Sequence, residues 1–285
     1  MGKRKRAITI IMVLILAVVL AAVSFYFLVL PTFAIVSDEA WSTCFSTSQM
    51  LGLRASYALD GYRLKVVKLG SSDMYNPEVF RNVLSKLKSD YVVLGPVASA
   101  YAVQNKLDVS FMLEDSVVLA IGAEDSDLFD CLLLSDERSG WLSASKAIAQ
   151  QTSASSKNVA LVYESDVISY ANDITNLFPS GGVSVFDKSK GGNVFYRSTL
   201  QEMDRLGIVI ALCPYVSGMG NFFDEAGTVS WIVDYRFRSA IPAANLYGTV
   251  GPDLKNILAI AKDVEKGSCT THNWEFVYEK VRRVL

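Results

Sequence analysis

The chain has 285 residues, 51% of them hydrophobic and 20% charged, with a formal net charge of −2. That length suffices for one large or two medium domains with buried cores. Setting aside the four positive charges of Lys3, Arg4, Lys5 and Arg6 leaves the remainder at −6. No later run of Lys and Arg interleaved with aromatics exists, which argues against a nucleic-acid partner.

The basic tip is followed by an uncharged stretch from Ala7 to Leu30. As a helix it spans about 36 Å at about 1.5 Å per residue, enough to cross a hydrocarbon core of about 30 Å. A cleaved signal peptide is the rival reading, but its apolar region covers only about 7–15 residues and ends at small side chains. Here the run ends in Phe25, Tyr26, Phe27 and Leu28, which predicts an uncleaved signal anchor over residues 1–30. Cys44, preceded by Trp41-Ser42-Thr43, is a poor lipidation site. With Lys and Arg held at the cytoplasmic face, the rest is expected outside, periplasmic or at the cell surface, on a single-pass protein of the cytoplasmic membrane.

Strands and helices then alternate. Strands are predicted at Thr32–Ser37, Tyr62–Lys68, Tyr91–Leu94, Val117–Ile121 and Cys131–Leu134. Helices fall at Ser46–Leu59, Pro77–Lys88 (capped by Asn76) and Ala98–Asn105. After a helix at Ser139–Gln151 and a polar loop at Gln151–Lys157, a second series begins. Its strands are Asn158–Tyr163, Val183–Phe186, Ile208–Cys213, Val229–Val233 and Asn245–Val250. Its helices are Val167–Leu177, Arg197–Leu206 and Asp253–Lys266, the last ended by a left-handed Gly267. Trp274–Leu285 reads as a final helix or strand. Strands apolar on both faces suit parallel sheets buried between helix layers. The fold class is therefore α/β: about ten strands could form one sheet, but the length after the anchor and the mid-chain break favour two Rossmann-like lobes, preceded by one transmembrane helix.

Four cysteines stand at 44, 131, 213 and 269, with no CxxC pair, and the single histidine is His272. No metal site or cofactor is expected from such spacing. Cys131 and Cys213 read as buried strand residues, and any disulfide pairing is left open. Catalytic motifs are missing too: there is no Gly-x-Ser-x-Gly elbow and no Gly-Lys-Ser/Thr phosphate loop. Gly218-Met219-Gly220 lacks the third glycine of a dinucleotide loop, and Gly181-Gly182 and Gly191-Gly192 read as turns. The chain is not expected to be an enzyme, although a hydrolase built on Asp136 and Asp234 is a rival.

Three segments carry a family likeness. Ile241–Gly267 (IPAANLYGTVGPDLKNILAIAKDVEKG) resembles the closing part of the basic membrane protein family of nucleoside-binding lipoproteins. Ser230–Tyr235 (SWIVDY) resembles that group's strand ending in a ligand-facing aspartate. Asp136–Gln151 (DERSGWLSASKAIAQQ) resembles its helix just after the crossing between lobes. More broadly, the layout from residue 32 onward resembles type I periplasmic binding proteins. Asp38-Glu39-Ala40-Trp41 stands where the nucleoside binders have paired glycines and an aspartate. The resemblance implies a first lobe at 31–136 plus 240–270 and a second at 137–239 plus 271–285, with three crossings that make a hinge. It also implies capture of a sugar, nucleoside or similar small polar ligand for an ABC-type permease or membrane sensor. A ligand-free interaction protein on the same fold is the alternative.

Ligands of open α/β sheets bind beyond the carboxyl ends of strands. The candidates there are Asp38, Trp41 and Ser42 after the first strand, then Pro96 and Ser99 after the third. Asp136, Glu137 and Arg138 follow the fifth, and Glu164, Tyr215, Asp234 and Tyr235 follow strands of the second series. Trp41 is expected either to stack on a ligand ring or to pack on the surface, Asp136 to bind hydroxyls or cap a helix. Asp234 is expected to accept from a ligand or to pair with Arg236 or Arg238.

Overall fold

A computed structural model describes residues 2–74, 76–123, 127–153, 158–179, 181–219 and 222–281. The later part of the expected loop at 151–157, Gly220 and the tail beyond Val281 fall outside them. A helix runs from Gly2 to Leu28. Its Ile10–Leu28 portion has the length and composition to cross a membrane.

Eleven strands follow among the described residues: β1 (Thr32–Asp38), β2 (Arg63–Leu69), β3 (Tyr91–Leu94), β4 (Val117–Ile121), β5 (Cys131–Asp136), β6 (Asn158–Tyr163), β7 (Val183–Asp187), β8 (Ile208–Cys213), β9 (Ser230–Asp234), β10 (Leu246–Pro252) and β11 (Thr270–Lys280). The chain divides into two compact units. One comprises Met1–Glu39, Ser46–Leu132 and Leu258–Thr270; the other comprises Ala40–Phe45, Leu133–Ile257 and Thr271–Leu285.

In the first unit the strand order is β2-β1-β3-β4, then the first two residues of β5, whose part from Leu133 onward belongs to the second unit. β1 runs parallel to β2 and β3, and β3 parallel to β4. Every residue of β1 is buried, as a parallel strand covered on both faces must be. Phe80, Leu84, Val92, Leu94, Ala98, Val109 and Phe129 fill the core. Helix starts follow the sequence: the Asn76 side chain accepts from the amides of Glu78 at 3.0 Å and Val79 at 3.4 Å, with Pro77 in the first turn. Ser46 and Gln49 form a reciprocal capping box for the helix Thr47–Leu59.

The second unit orders its strands β11-β10-β9-β8-β6-β7, with β10, β9, β8, β6 and β7 mutually parallel. β11 pairs antiparallel with β10, which resolves the final segment as a strand. The core is aromatic: the Trp231 ring meets Phe222 and Phe223 edge-on at 5.6 and 5.1 Å, each contact worth about 1 kcal/mol beyond its buried area. Gly140 sits where a Cβ would come within 2.8 Å of Phe276 and Val250, so the helix Glu137–Ser153 lies close on the sheet. Cys131 and Cys213 are fully buried.

Three details depart from expectation. Strand 246–252 lies in the second unit, because it pairs with β9 and β11, whereas residues 240–270 were expected in the first. Residues 40–45 also lie in the second unit, since Trp41 and Phe45 pack on Tyr235. The late helix ends at Asp263, short of Gly267. Gly267 is left-handed, with φ +76°, but it turns the chain so that its amide reaches Asp130 Oδ1 at 2.6 Å. Asp130, fully buried, also accepts from Val118 N–H at 2.7 Å. Beside it Lys266 Nζ donates to the carbonyls of Ser110, Leu113 and Ser116 at 3.0, 3.2 and 2.7 Å. This network fastens the returning segment to the first unit.

Candidate functional site

β9 ends on Asp234, which is fully buried. Its carboxylate caps the turn Tyr235–Ala240 by accepting the Arg236 amide at 3.0 Å. It also grips the Arg236 side chain: Nε donates to Oδ1 at 2.6 Å and Nη2 to Oδ2 at 2.8 Å. Such a bidentate fork holds two charges in one fixed geometry. The same Nη2 donates to Glu137 Oε1 at 3.2 Å. Glu137 opens the helix after β5, so two strand ends meet on one guanidinium.

Aromatic rings surround this charge. The guanidinium carbon lies 4.3 Å from the Tyr215 ring centre and 5.6 Å from that of Tyr235, cation–π contacts worth about 0.5–2 kcal/mol. Tyr215, after β8, stacks on Phe237 with centroids 5.4 Å apart. Tyr235 stacks on Phe45 at 5.7 Å and accepts a hydrogen bond from Trp41 Nε1 at 3.3 Å. Gly251 permits this placement, since a Cβ there would lie 2.7 Å from Tyr235 Cβ.

The electrostatics follow from burial. Desolvation, then the Asp234 charge, raises the Glu137 carboxyl above its ordinary value, against the opposing pull of Arg236. Burial works against the charged Arg236, yet its bonds to Asp234 and the charge of Glu137 leave its pKa raised. Burial and then the Glu137 and Asp234 charges raise the phenol of Tyr170. This corner holds two carboxyl groups, one guanidinium and the phenols of Tyr170 and Tyr235, both raised by burial.

A second polar network closes the loops after β6 and β8. The Ser217 amide donates to Glu164 Oε2 at 2.9 Å, as does its hydroxyl. Lys188 Nζ donates to the Ser217 carbonyl at 2.6 Å and also bonds the Ser217 hydroxyl. Tyr196 OH donates to the same carbonyl at 2.6 Å. The Ser217 amide holds the Glu164 carboxyl below its usual value.

The structure thus gathers Glu137, Tyr215, Asp234 and Tyr235, with Trp41 behind Tyr235, and adds Arg236, Tyr170, Phe45 and Phe237. Of the two roles read for Asp234, pairing with Arg236 is the one formed. The Trp41 ring is buried against Phe45. Asp136 Oδ1 accepts the Ser139 amide at 3.2 Å and so caps its helix, and exposed Arg138 pairs with Asp173 at 2.9 Å. Ser42 is half-buried in the short helix Glu39–Thr43. In the first unit, Asp38 ends β1, Pro96 opens the helix Pro96–Gln104, and buried Ser99 donates to the Leu94 carbonyl at 3.0 Å. Two open grooves of about 810 and 470 Å³ flank edge strand β7, sharing Tyr163 and Val185. None of the residues predicted from the sequence lines them. Among the described residues, no group of three His, Cys, Asp or Glu side chains is placed to hold a metal ion.

No family model and no curated protein matches the chain. Solved structures do. A solute-binding protein of an ABC transporter system from Conexibacter woesei is 13% identical, with 87% of this chain and 88% of that chain covered at a TM-score of 0.57. A carbohydrate transporter solute-binding protein from Agrobacterium radiobacter in complex with D-arabinose is 14% identical, over 89% and 95% of the two chains, at 0.43. An ABC transporter solute-binding protein from Agrobacterium vitis bound with α-D-tagatopyranose is 14% identical, over 88% and 94%, at 0.44. The chain has the type I periplasmic-binding-protein fold.

Proposed function

We propose that this chain is an extracytoplasmic, membrane-anchored solute-binding protein that captures a small polar ligand, of the sugar or nucleoside class, for an ABC-type permease or a membrane sensor. The observation that carries the reading is the corner at the carboxyl ends of β8 and β9. There a half-buried Tyr215 ring stands beside Glu137, Asp234 and Arg236. An aromatic face next to charged hydrogen-bonding groups suits a hydroxylated ring, which presents one apolar face and a polar rim. Charged hydrogen bonds contribute about 1.5–3 kcal/mol each. Two or three with one stack reach about −8 kcal/mol, a micromolar affinity. The apolar span Ile10–Leu28 supports the anchor.

Selectivity in this reading follows from Arg236. Its fork is engaged by Asp234 and its face by Tyr215, so this cation is committed within the corner rather than free for an anionic ligand. Neutral solutes are therefore favoured.

One observation favours a second reading, a ligand-free interaction protein on the same fold. Both oxygens of Asp234 are occupied by Arg236, the arrangement of a corner satisfied without ligand. A thermal-shift screen against sugars and nucleosides separates the two. Ligand at about 100 times Kd stabilises by about 2.7 kcal/mol, so one class raises Tm by several degrees if the chain binds it. A flat response across both classes sinks the solute-binding reading.

A further inference from the structure

The first unit is fastened to its apolar helix with almost no tether. The helix ends at Leu28 and β1 starts at Thr32. Three residues reach at most about 11 Å when fully extended, and these are not extended: the amides of Val29 and Leu30 still donate to the Phe25 carbonyl at 3.0 and 3.3 Å. Arg63, the first residue of β2, closes the junction. Its Nη1 donates to the Phe27 carbonyl at 2.6 Å, its Nη2 to Thr32 Oγ1 at 2.8 Å, and its guanidinium carbon stands 5.9 Å from the Phe27 ring centre. The Arg63 amide also donates to the Pro31 carbonyl at 2.8 Å.

The surface beside this junction has the composition of a membrane interface. Leu59, the last residue of the helix Thr47–Leu59, is 90% exposed, the highest exposure of any large apolar side chain among the described residues. Tyr62 follows, with Lys262 Nζ 4.9 Å from its ring centre. Aromatic rings with basic groups that extend towards phosphates are favoured at the level of lipid headgroups.

We propose that the amino-end surface of the first unit, with Leu59 at its centre and Tyr62, Arg63 and Lys262 around it, rests on the outer lipid headgroups next to the span. This rests on the reading of Ile10–Leu28 as membrane-inserted and goes beyond it, because a span alone is compatible with a freely tumbling domain. β1 and β2 both begin at this surface, with Thr32 opposite Arg63. Their carboxyl ends, Asp38 included, stand at the far end of strands about 20 Å long, away from the bilayer.

The test uses the full chain carrying Cys44→Ser and Cys269→Ser, reconstituted in vesicles of phosphatidylcholine and phosphatidylglycerol. A nitroxide is placed at Leu59→Cys or, as a control, at Val97→Cys on the helix Pro96–Gln104. Collision rates with oxygen, which concentrates in lipid, and with a water-soluble nickel chelate are compared. The expected result is severalfold lower nickel accessibility and higher oxygen accessibility at position 59 than at 97, with the difference reduced by Arg63→Ala. Equal nickel accessibility at both positions, in a chain that stays with the vesicles through an alkaline wash, overturns the docking and leaves the anchor standing. Loss of the chain in that wash overturns both.

Discussion

Each unit buries an aspartate completely at a strand end, Asp130 just before β5 and Asp234 at the close of β9, and the two have different partners. Asp130 in the first unit accepts the amides of Val118 and Gly267, 149 residues apart on two of the segments that make up the unit, with Lys266 Nζ at 3.4 Å. Asp234 in the second unit is neutralised by one side chain two residues away, which also meets the titratable Glu137 and the rings of Tyr215 and Tyr235. The first carboxylate ties distant backbone together. The second builds an electrostatic corner at the carboxyl end of a strand, the end at which open α/β sheets take ligands. Burial alone does not distinguish the two carboxylates; what their partners do besides neutralising them does.

Removing the first carboxylate sets the largest expected effect. Asp130→Ala leaves the amides of Val118 and Gly267 without their acceptor, while Lys266 keeps its three carbonyls, and is expected to cost about 3 kcal/mol, read by chemical denaturation. A loss under about 1 kcal/mol breaks the contrast. Asp234→Asn keeps the shape and one acceptor while Arg236 remains partly solvated, so about 2 kcal/mol is expected, together with a change in ligand response that Asp130 variants lack. Tyr235→Phe removes the acceptor of the Trp41 indole and is expected to cost about 1 kcal/mol, seen also as a shift in tryptophan fluorescence.

Two pH profiles sharpen the comparison inside the second unit. The Glu137 carboxyl is raised by burial, so its neutral form is favoured in the folded state. Its contribution is fully present below the ordinary glutamate value of about 4.3 and is lost as pH rises through the raised one. The Glu164 carboxyl is lowered by the Ser217 amide. Its contribution is present above the ordinary value and lost as pH falls through the lowered one. Glu137→Gln and Glu164→Gln are therefore expected to change the slope of stability against pH in opposite senses. Equal slopes in the two variants contradict the assignment.

Much of the fold was legible because buried parallel strands are continuous apolar runs: β3, β4, β6 and β8 stand where Tyr91–Leu94, Val117–Ile121, Asn158–Tyr163 and Ile208–Cys213 place them. The four-residue helices Ser71–Met74, Val109–Met112 and Phe222–Glu225 are too short to show a helical period. β11 stayed ambiguous because its alternation, with Trp274 and Phe276 buried between exposed neighbours, starts only after a polar opening. In the candidate site, the Asp234–Arg236 pair is two residues apart and could be read directly. Glu137 meets Arg236 across 99 residues and Trp41 meets Tyr235 across 194. Such pairings are set by strand order, which local pattern does not carry. Tyr170 and Phe45 gave no signal beyond being aromatic.

Titration calorimetry of the intact protein and of Tyr215→Ala against whichever sugar or nucleoside raises Tm bears most directly on capture at this corner. The account predicts saturable micromolar binding that Tyr215→Ala weakens at least tenfold, a loss of about 1.4 kcal/mol, with the unfolding transition of the variant otherwise intact. Unchanged affinity in Tyr215→Ala, or no heat from any ligand of either class, contradicts it.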